Sequence, residues 1–212
     1  MLTVTEAIKQ RRSIRRFKPD PVPAEAVREM LEAARLAPSG SNRQPWRFIV
    51  VTDLGEKKKL RSICLDQAFV EEAPAVFVCC ADLLAYSRDS RWQREQEFRE
   101  SGVLQTLSGS FADMEFRDLM LNVPDPDMTA YLTTATANTY IAIEHMVLTA
   151  TALGLATCWV GATGNPGEIA SLFNLPETTV VIAALPTGYP AQSPPPRPRL
   201  KLEQILLRPL PE

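Results

Sequence analysis

Four arginines lie within six positions of the segment RRSIRRF, residues 11–17: Arg11, Arg12, Arg15 and Arg16. Their positive charges repel one another unless an anion lies among them. A guanidinium group presents a planar set of N–H donors that matches a phosphate, and the hydroxyl of Ser13 adds one more donor. The segment therefore predicts an anion site, although a solvated basic face would have the same composition.

A second arginine pair, Arg197 and Arg199, lies in the proline-rich tail SPPPRPRLKLEQILLRPLPE. In an extended backbone, side chains two positions apart point to the same side, and Pro198 stiffens the segment between them. Such a pair suits a phosphate group. An ordinary basic tail remains the alternative from these residues alone.

Two other segments offer neutral hydrogen-bonding groups. APSGSNRQPWRF, residues 37–48, combines serine, asparagine and glutamine side chains with Gly40, whose lack of a side chain allows close backbone approach. GLATCWVGA, residues 154–162, is a buried strand that ends in a Gly-Ala turn, where backbone amides could face a flat heteroaromatic ligand. Each segment alone is also compatible with an ordinary loop.

The sequence lacks the motifs of several other chemistries. It contains no G-x-S-x-G, no GxGxxG after a strand and no phosphate-binding P-loop. A His/Cys zinc site is not expected, because His145 is the only histidine and no CxxC pair occurs. We therefore predict no metal, and we interpret the four cysteines as reduced thiols of a cytoplasmic protein.

The composition is that of a globular chain with an apolar core. The 212 residues are 45% hydrophobic, and the net charge of −2 argues against a nucleic-acid partner. The start MLTVTEAIKQRR lacks the apolar centre of a signal peptide, and no apolar run reaches the roughly 18 residues of a membrane span. We predict no membrane partner.

Hydrophobic periodicity predicts strands that alternate with helices. Helices are expected from Thr3 or Thr5 to Gln10 and over 24–37, 54–64, 128–154 and 165–175, and strands over 46–52, 74–81, 155–162 and 179–189. The continuously apolar run at 74–81 is typical of a strand that is buried on both faces. The class is α+β with a mixed α/β character, in a single domain of residues 1–212.

Two stretches differ from this regular alternation. Residues 88–127 are irregular and rich in charge, with a solvated helix expected over RDSRWQREQEFRE, so we interpret the block as a lid or flap. The helix over 128–154 is apolar on most sides, which predicts burial within the fold or in a subunit interface.

In their order along the chain, these segments resemble the nitroreductase family of FMN-dependent oxidoreductases. RRSIRRF, PVP, APSGSNRQPW, GLATCWVG and RPRLKLEQI match the family pattern over nearly the whole chain. The resemblance implies a three-layer fold, with a central, mainly antiparallel mixed sheet flanked by helices and a long buried interface helix. It also implies a homodimer with FMN at the subunit interface.

The resemblance carries over residue by residue. Arg11, Arg12 and Ser13 would bind the ribityl-phosphate side of FMN, Arg197 and Arg199 would converge on the same phosphate, and Arg15 would approach the N1/O2 edge of the ring. A loop partly supplied by the partner subunit would line the flavin edge with Pro38, Ser39, Gly40, Asn42 and Gln44. Val160, Gly161 and Ala162 would lie near N5. Arg16 matches no binding position.

The implied mechanism needs no catalytic side chain, since flavin N5 carries the chemistry. NADH or NADPH would deliver hydride, and a nitroaromatic, quinone or other electron-poor acceptor would then take the same place in a ping-pong cycle. Three alternatives stay open. They are a reductive dehalogenase, with Glu95, Arg99 or Tyr131 as candidate clamps on the substrate, a relative that fragments reduced FMN, and a non-enzymatic flavin-binding redox protein.

Overall fold

The computed structural model describes residues 2–124, 127–161 and 163–208. Its α-helices are α1 (Val4–Gln10), α2 (Ala24–Arg35), α3 (Leu54–Ile63), α4 (Ala68–Glu72), α5 (Arg88–Glu100), α6 (Met114–Leu121), α7 (Leu132–Ala152), α8 (Pro166–Leu172) and α9 (Leu202–Ile205). Its strands are β1 (Trp46–Val51), β2 (Ala75–Asp82), β3 (Ala156–Thr157) and β4 (Thr179–Gly188).

Side-chain caps account for several helix starts. Thr3 and Glu6 form a reciprocal capping box at the start of α1, which confirms the predicted cap. The Asp53 carboxylate accepts the N–H of Glu56 at the start of α3. Asn165 caps α8, and a proline follows at the first helical position, where its missing N–H costs no hydrogen bond.

The four strands form one sheet in the order β1-β2-β4-β3. All three strand pairings are antiparallel, and the described part of the chain contains one parallel contact, an isolated bridge between Ser13 and Thr157. β2 occupies a central position and is buried along nearly its whole length, which confirms the prediction from its continuous apolar run. A register shift at Cys79/Cys80 marks a bulge in its pairing with β4.

Side chains of β2 alternate between two hydrophobic cores. Phe77 and Cys79 face a core formed with α2 and α7, which contribute residues such as Met30 and Ile143. Val76, Val78 and Cys80 face a second core against α3, α4 and α8, which contains Leu60, Val70 and Ile169. The sheet therefore lies between two helical layers, and the predicted three-layer α+β fold is confirmed.

Several sequence predictions differ in detail. The expected strand over 155–162 is reduced to β3 and a separate bridge from Val160 to Ala184. Between them, the N–H of Cys158 donates to the carbonyl of Pro186 at 3.1 Å, but Pro186 has no N–H to complete the pair. The short helix α4 was not predicted. The expectation of a solvated helix is wrong for one face of α5, where Arg91 and Glu95 are buried.

All four cysteines are free thiols with buried side chains. Burial raises the pKa of Cys64 to about 11 and that of Cys80 to about 12, so both are neutral at physiological pH. Burial also raises the pKa of Cys158, which packs in the core and is not an activated nucleophile. Within the ranges that the structure describes, no helix combines the length and apolar character that crossing a membrane requires.

Gly164, in the loop before α8, packs against the end of α3. Gly164 has a φ of +62°, and a Cβ atom there would lie 2.4 Å from the carbonyl oxygen of Ile63. We expect Gly164→Ala to lower the free energy of unfolding by about 1–3 kcal/mol, because the backbone is left-handed and the clash is with backbone. Urea unfolding of the FMN-free protein measures this loss.

Gly161→Ala is the matched control, because no heavy atom lies within 4 Å of the added Cβ and its φ is outside the left-handed region. Equal urea midpoints for the two variants would contradict the expectation.

Candidate functional site

Backbone hydrogen bonds hold the segment RRSIRRF between the sheet and the tail. The N–H of Ile14 donates to the carbonyl of Thr157 at 3.0 Å, and Ile14 itself is buried. The N–H of Lys18 donates to Tyr189, and the N–H of Ala191 donates to Arg16, each at 2.9 Å. These bonds place the start of the tail directly beside the arginine segment.

The two arginine segments line one cavity of about 610 Å³. Its lining residues are Ile8, Lys9, Arg11, Arg12, Ser13, Arg15, Gln192, Pro194, Pro195, Pro196, Arg197 and Arg199. Among the described residues that line it, five are arginines, one is a lysine and none carries a carboxylate. Residues about 180 positions apart in the sequence therefore converge on one strongly cationic cavity, as an anion site requires.

The arginines of this cavity differ in their local contacts. Arg12 donates to the carbonyls of Lys9 and Arg11 at 2.7 and 2.8 Å, so part of its guanidinium satisfies the end of α1. The guanidinium carbon of Arg15 lies 5.7 Å from the centroid of the Phe69 ring, a cation–π contact that orients it. Arg16 is exposed and lies outside the cavity lining.

Arg11 approaches α7 near Glu144, whose carboxyl group is half-buried. Burial raises the pKa of Glu144, and the smaller effects of Arg11 and of a hydrogen bond from Trp159 lower it. The ring of Trp159 also makes an edge contact with Tyr140, with centroids 5.5 Å apart. His145 contacts the carbonyl of Ala33 through Nδ1 at 3.2 Å, as expected for a structural histidine.

The loop 38–45 is tightly folded and holds strained backbone. The N–H of Gln44 donates to Ser39 Oγ at 2.9 Å, which closes the loop, while Pro38 leads into it. Ser41, Asn42 and Gln44 have φ values of 50°, 52° and 48°, in the left-handed region that non-glycine residues rarely adopt. Strain of this kind accumulates at ligand-binding loops.

This loop and the arginine cavity meet different sides of α7. The N–H of Gly40 donates to Asn138 Oδ1 at 3.3 Å, and Asn138 donates in turn to the Tyr86 hydroxyl at 2.7 Å. Glu144, beside Arg11, lies six residues later, about 120° around the helix and about 9 Å along it. Within one chain, the two groups of predicted site residues therefore do not line the same cavity.

The residues predicted to lie near flavin N5 are Val160, Gly161 and Ala162, and the structure describes the first two. The amide of Val160 donates to the carbonyl of Ala184 at 2.9 Å, so it belongs to the sheet and does not face open space. Gly161 is exposed and has room on its Cα. Ala162 lies outside the described residues. Their role near a flavin stays a prediction.

Sequence reasoning missed the segment 65–69, which contacts Arg15 through Phe69. Leu65 and Asp66 have φ values of 58° and 54°, and Leu65 contacts the position of a Gly164 side chain. Phe69 on α4 then supplies the ring beneath Arg15. The one signal was the interruption of the helical pattern after Cys64, which does not reveal a tertiary contact.

The residues proposed as clamps for a dehalogenase substrate make contacts within the chain. Glu95 accepts hydrogen bonds from Arg99 and from Arg117, which joins α5 to α6. Tyr131 stacks on Tyr86 with ring centroids 4.8 Å apart. The Glu95 carboxylate is therefore already paired within the chain, and the dehalogenase alternative stays a prediction. Among the described residues, no group of three or more His, Cys, Asp or Glu side chains could hold a metal ion.

Comparisons with known proteins identify the family of this chain. The model of the nitroreductase family matches residues 8–189. The chain is 36% identical over 211 residues to a Thermus thermophilus protein named NADH dehydrogenase, covering 98% of this chain and 96% of the relative. It is 29% identical over 206 residues to the FMN reductase [NAD(P)H] of Bacillus subtilis, covering 97% of this chain and 73% of the relative.

A solved structure shows the same fold. The NADPH:FMN oxidoreductase of Vibrio harveyi complexed with NAD+ aligns with a TM-score of 0.74 at 22% identity, covering 99% of this chain and 78% of the other. The family match extends from the arginine segment to the end of β4, and thus includes both the sheet and the loop 38–45. This chain belongs to the nitroreductase family.

Proposed function

We propose that this chain is an FMN-dependent oxidoreductase that uses NADH or NADPH to reduce nitroaromatics, quinones or other electron-poor small molecules. The observation that carries the proposal is the convergence of both arginine segments on one cavity in a member of the nitroreductase family. NAD(P)H-dependent oxidoreduction with FMN is also the activity named for its relatives.

The residues of the cavity fit the phosphate end of FMN. Arg11, Arg12, Arg197 and Arg199 supply charged donors, and Ser13 supplies a hydroxyl. Burying a dianionic phosphate is favourable only where its charge is paired, and the excess of cationic side chains here provides that pairing.

Bound FMN supplies the hydride chemistry, and the protein supplies binding, orientation and electrostatics. Arg15, held over Phe69, presents positive charge where it would favour a reduced, anionic flavin ring. Gly161 permits close approach of a flat ligand because it has no side chain. In this scheme, no side chain of the protein acts as general acid or base, which is consistent with buried thiols and a structural His145.

We infer that the functional unit is a homodimer. The loop 38–45 and the arginine cavity face different sides of α7, so one flavin reaches both only if a second copy supplies the loop. The tail exposes apolar side chains that a partner could cover: Leu200, Leu202, Ile205 and Leu207. Four buried free thiols favour a reducing compartment such as the cytoplasm.

Residues 1–212 form one FMN-binding domain in this proposal, and residues 88–127 form its lid. The ion pairs Glu95–Arg117 and Arg99–Asp118 hold α5 and α6 together as a unit. This unit exposes apolar side chains that suit electron-poor aromatic acceptors: Trp92, Phe111, Met114, Leu119 and Met120. We therefore assign acceptor choice to the lid.

The direct test is purification followed by an absorbance spectrum and anaerobic reduction. We expect a yellow protein that releases FMN and not FAD on denaturation, is bleached by NADH or NADPH, and is reoxidised by a nitroaromatic or quinone. A colourless protein that does not take up added FMN would refute the proposal. Bound flavin that neither nicotinamide reduces would indicate a flavin-binding protein without this enzymatic activity.

A further inference from the structure

A second cationic cavity lies between the loop 38–45 and the lid. It has a volume of about 280 Å³, and its lining residues are Arg43, Gln44, Trp46, Arg47, Ala85, Ser90, Gln93 and Arg94. Three arginines face it, and no carboxylate occurs among the described residues that line it. None of these residues lines the cavity formed by the two arginine segments.

The three arginines differ in how their charges are balanced. Arg47 pairs with Asp82 at 2.8 Å, and Arg94 pairs with Glu97 at 2.7 Å. Arg43 makes no ion pair with any described residue, and its Nη1 atom is buried without a hydrogen-bond partner. A buried charged donor that stays unsatisfied is costly, so an anion placed at Arg43 would stabilise this arrangement.

The backbone of the loop holds Arg43 in this position. Its neighbours Asn42 and Gln44 both have left-handed φ values, and its own N–H donates to the carbonyl of Gly40 at 3.2 Å. Burial lowers the pKa of Arg43, and the positive charges of Arg91 and Arg94 lower it further. A guanidinium nevertheless stays charged at neutral pH, so Arg43 carries a positive charge that no carboxylate of the described residues pairs with.

We propose that Arg43, Arg47 and Arg94 bind the oxyanion group of a small-molecule reactant, a carboxylate or a phosphate. This inference rests on the proposed function, and it predicts that the enzyme prefers reactants that carry a carboxylate or a phosphate. The cavity is small for a whole dinucleotide but suits one anionic group, and Gln44 and Gln93 add neutral amide donors. The cavity lies between the lid and the predicted flavin-edge loop. An anionic group of the reactant bound there would therefore lie near the nitro, quinone or nicotinamide group that reacts with the flavin.

Two sources of the oxyanion are possible: the carboxylate of an acceptor and a phosphate of the nicotinamide reductant. The first arm of the test compares 4-nitrobenzoate with neutral 4-nitrobenzamide as acceptors. The second compares NADH with 1-benzyl-1,4-dihydronicotinamide, which carries no phosphate. For each pair, the measured quantity is the ratio of kcat/KM values in the wild type, Arg43→Gln and Arg94→Gln.

We expect each substitution to reduce one of the two ratios by about tenfold, the effect of losing one charge-assisted hydrogen bond. A fall in the acceptor ratio assigns the carboxylate, and a fall in the reductant ratio assigns the phosphate. Arg43→Lys, which keeps the charge, should restore part of the loss. Arg28→Gln is the matched control, because the Arg28 side chain is 80% exposed on α2. Ratios that stay within about twofold of the wild type in both arms overturn the proposal.

The neutral reactants separate this inference from the proposed function. Turnover of 4-nitrobenzamide with the phosphate-free reductant needs FMN chemistry but no anion site, so its absence in the wild type counts against the proposed function alone. In that event, calorimetric titration of the purified protein with 4-nitrobenzoate and with inorganic pyrophosphate decides the anion site. Binding of either that weakens about tenfold in Arg94→Gln supports the site, and equal binding overturns it.

Discussion

Replacing Arg197 and Arg199 together by alanine is expected to weaken FMN binding by at least about a hundredfold. Each residue would lose a charge-assisted hydrogen bond to the phosphate, which typically contributes about 1.5–3 kcal/mol, and each 1.4 kcal/mol corresponds to a factor of ten in affinity. Both side chains are exposed and make no ion pair within the described residues. The substitutions should therefore leave the free energy of unfolding of the FMN-free protein nearly unchanged.

Titration of the FMN-free protein by flavin fluorescence measures this effect. Arg208→Ala is the matched control, because Arg208 is an exposed arginine of the same tail that does not line the cavity. The loss should shrink as ionic strength rises, since salt screens the attraction between the arginines and the phosphate. If the double variant binds FMN as tightly as Arg208→Ala does, the tail is not part of the phosphate site.

Local sequence patterns predicted the elements of this fold well. The capping box at Thr3 and the continuously apolar β2 depend on residues within a few positions of one another. The position of β3 was less accurate, because its two residues owe their assignment to pairing with β4 and not to an apolar period. Short elements such as α4 depend on tertiary packing, which overrides weak local propensity.

The sequence indicated which residues belong to the candidate site, but not which of them meet in space. The types and spacing of Arg197 and Arg199 indicated a phosphate, and the structure brings them to the same cavity as Arg11. By contrast, no pattern within the sequence indicates that Arg43 would lie beside Arg94, which is 51 positions away. Such a cluster arises where the loop meets the lid, so it becomes visible only once the two elements are packed.

A stripe on α7 remains uncovered in a single chain. It contains Ala137, Tyr140 and Ile141, and Ile141 is 40% exposed despite its size. These positions recur at helical spacing on one side, while the opposite side packs on the sheet through residues such as Ile143. Symmetric pairing of two copies is the commonest way to cover such a stripe.

Introducing charge into this stripe is therefore expected to separate the subunits and release the cofactor. In Ala137→Glu/Ile141→Glu, two carboxylates would be desolvated at the proposed interface without a partner, so the dimer dissociation constant should rise by at least about a hundredfold. Because both positions are exposed in one chain, the fold of the monomer should survive. Light scattering and the FMN content of the purified protein, measured over a dilution series, report both effects.

The matched control is Gln96→Glu, which adds a carboxylate to an exposed position of α5 away from the stripe. FMN loss and dissociation must occur together, since a ligand bound across an interface stabilises the assembled form by mass action. A double variant that stays dimeric and yellow would exclude this stripe from the interface. A wild-type monomer that keeps FMN at high dilution would show that one chain completes the site alone, and would refute the dimer itself.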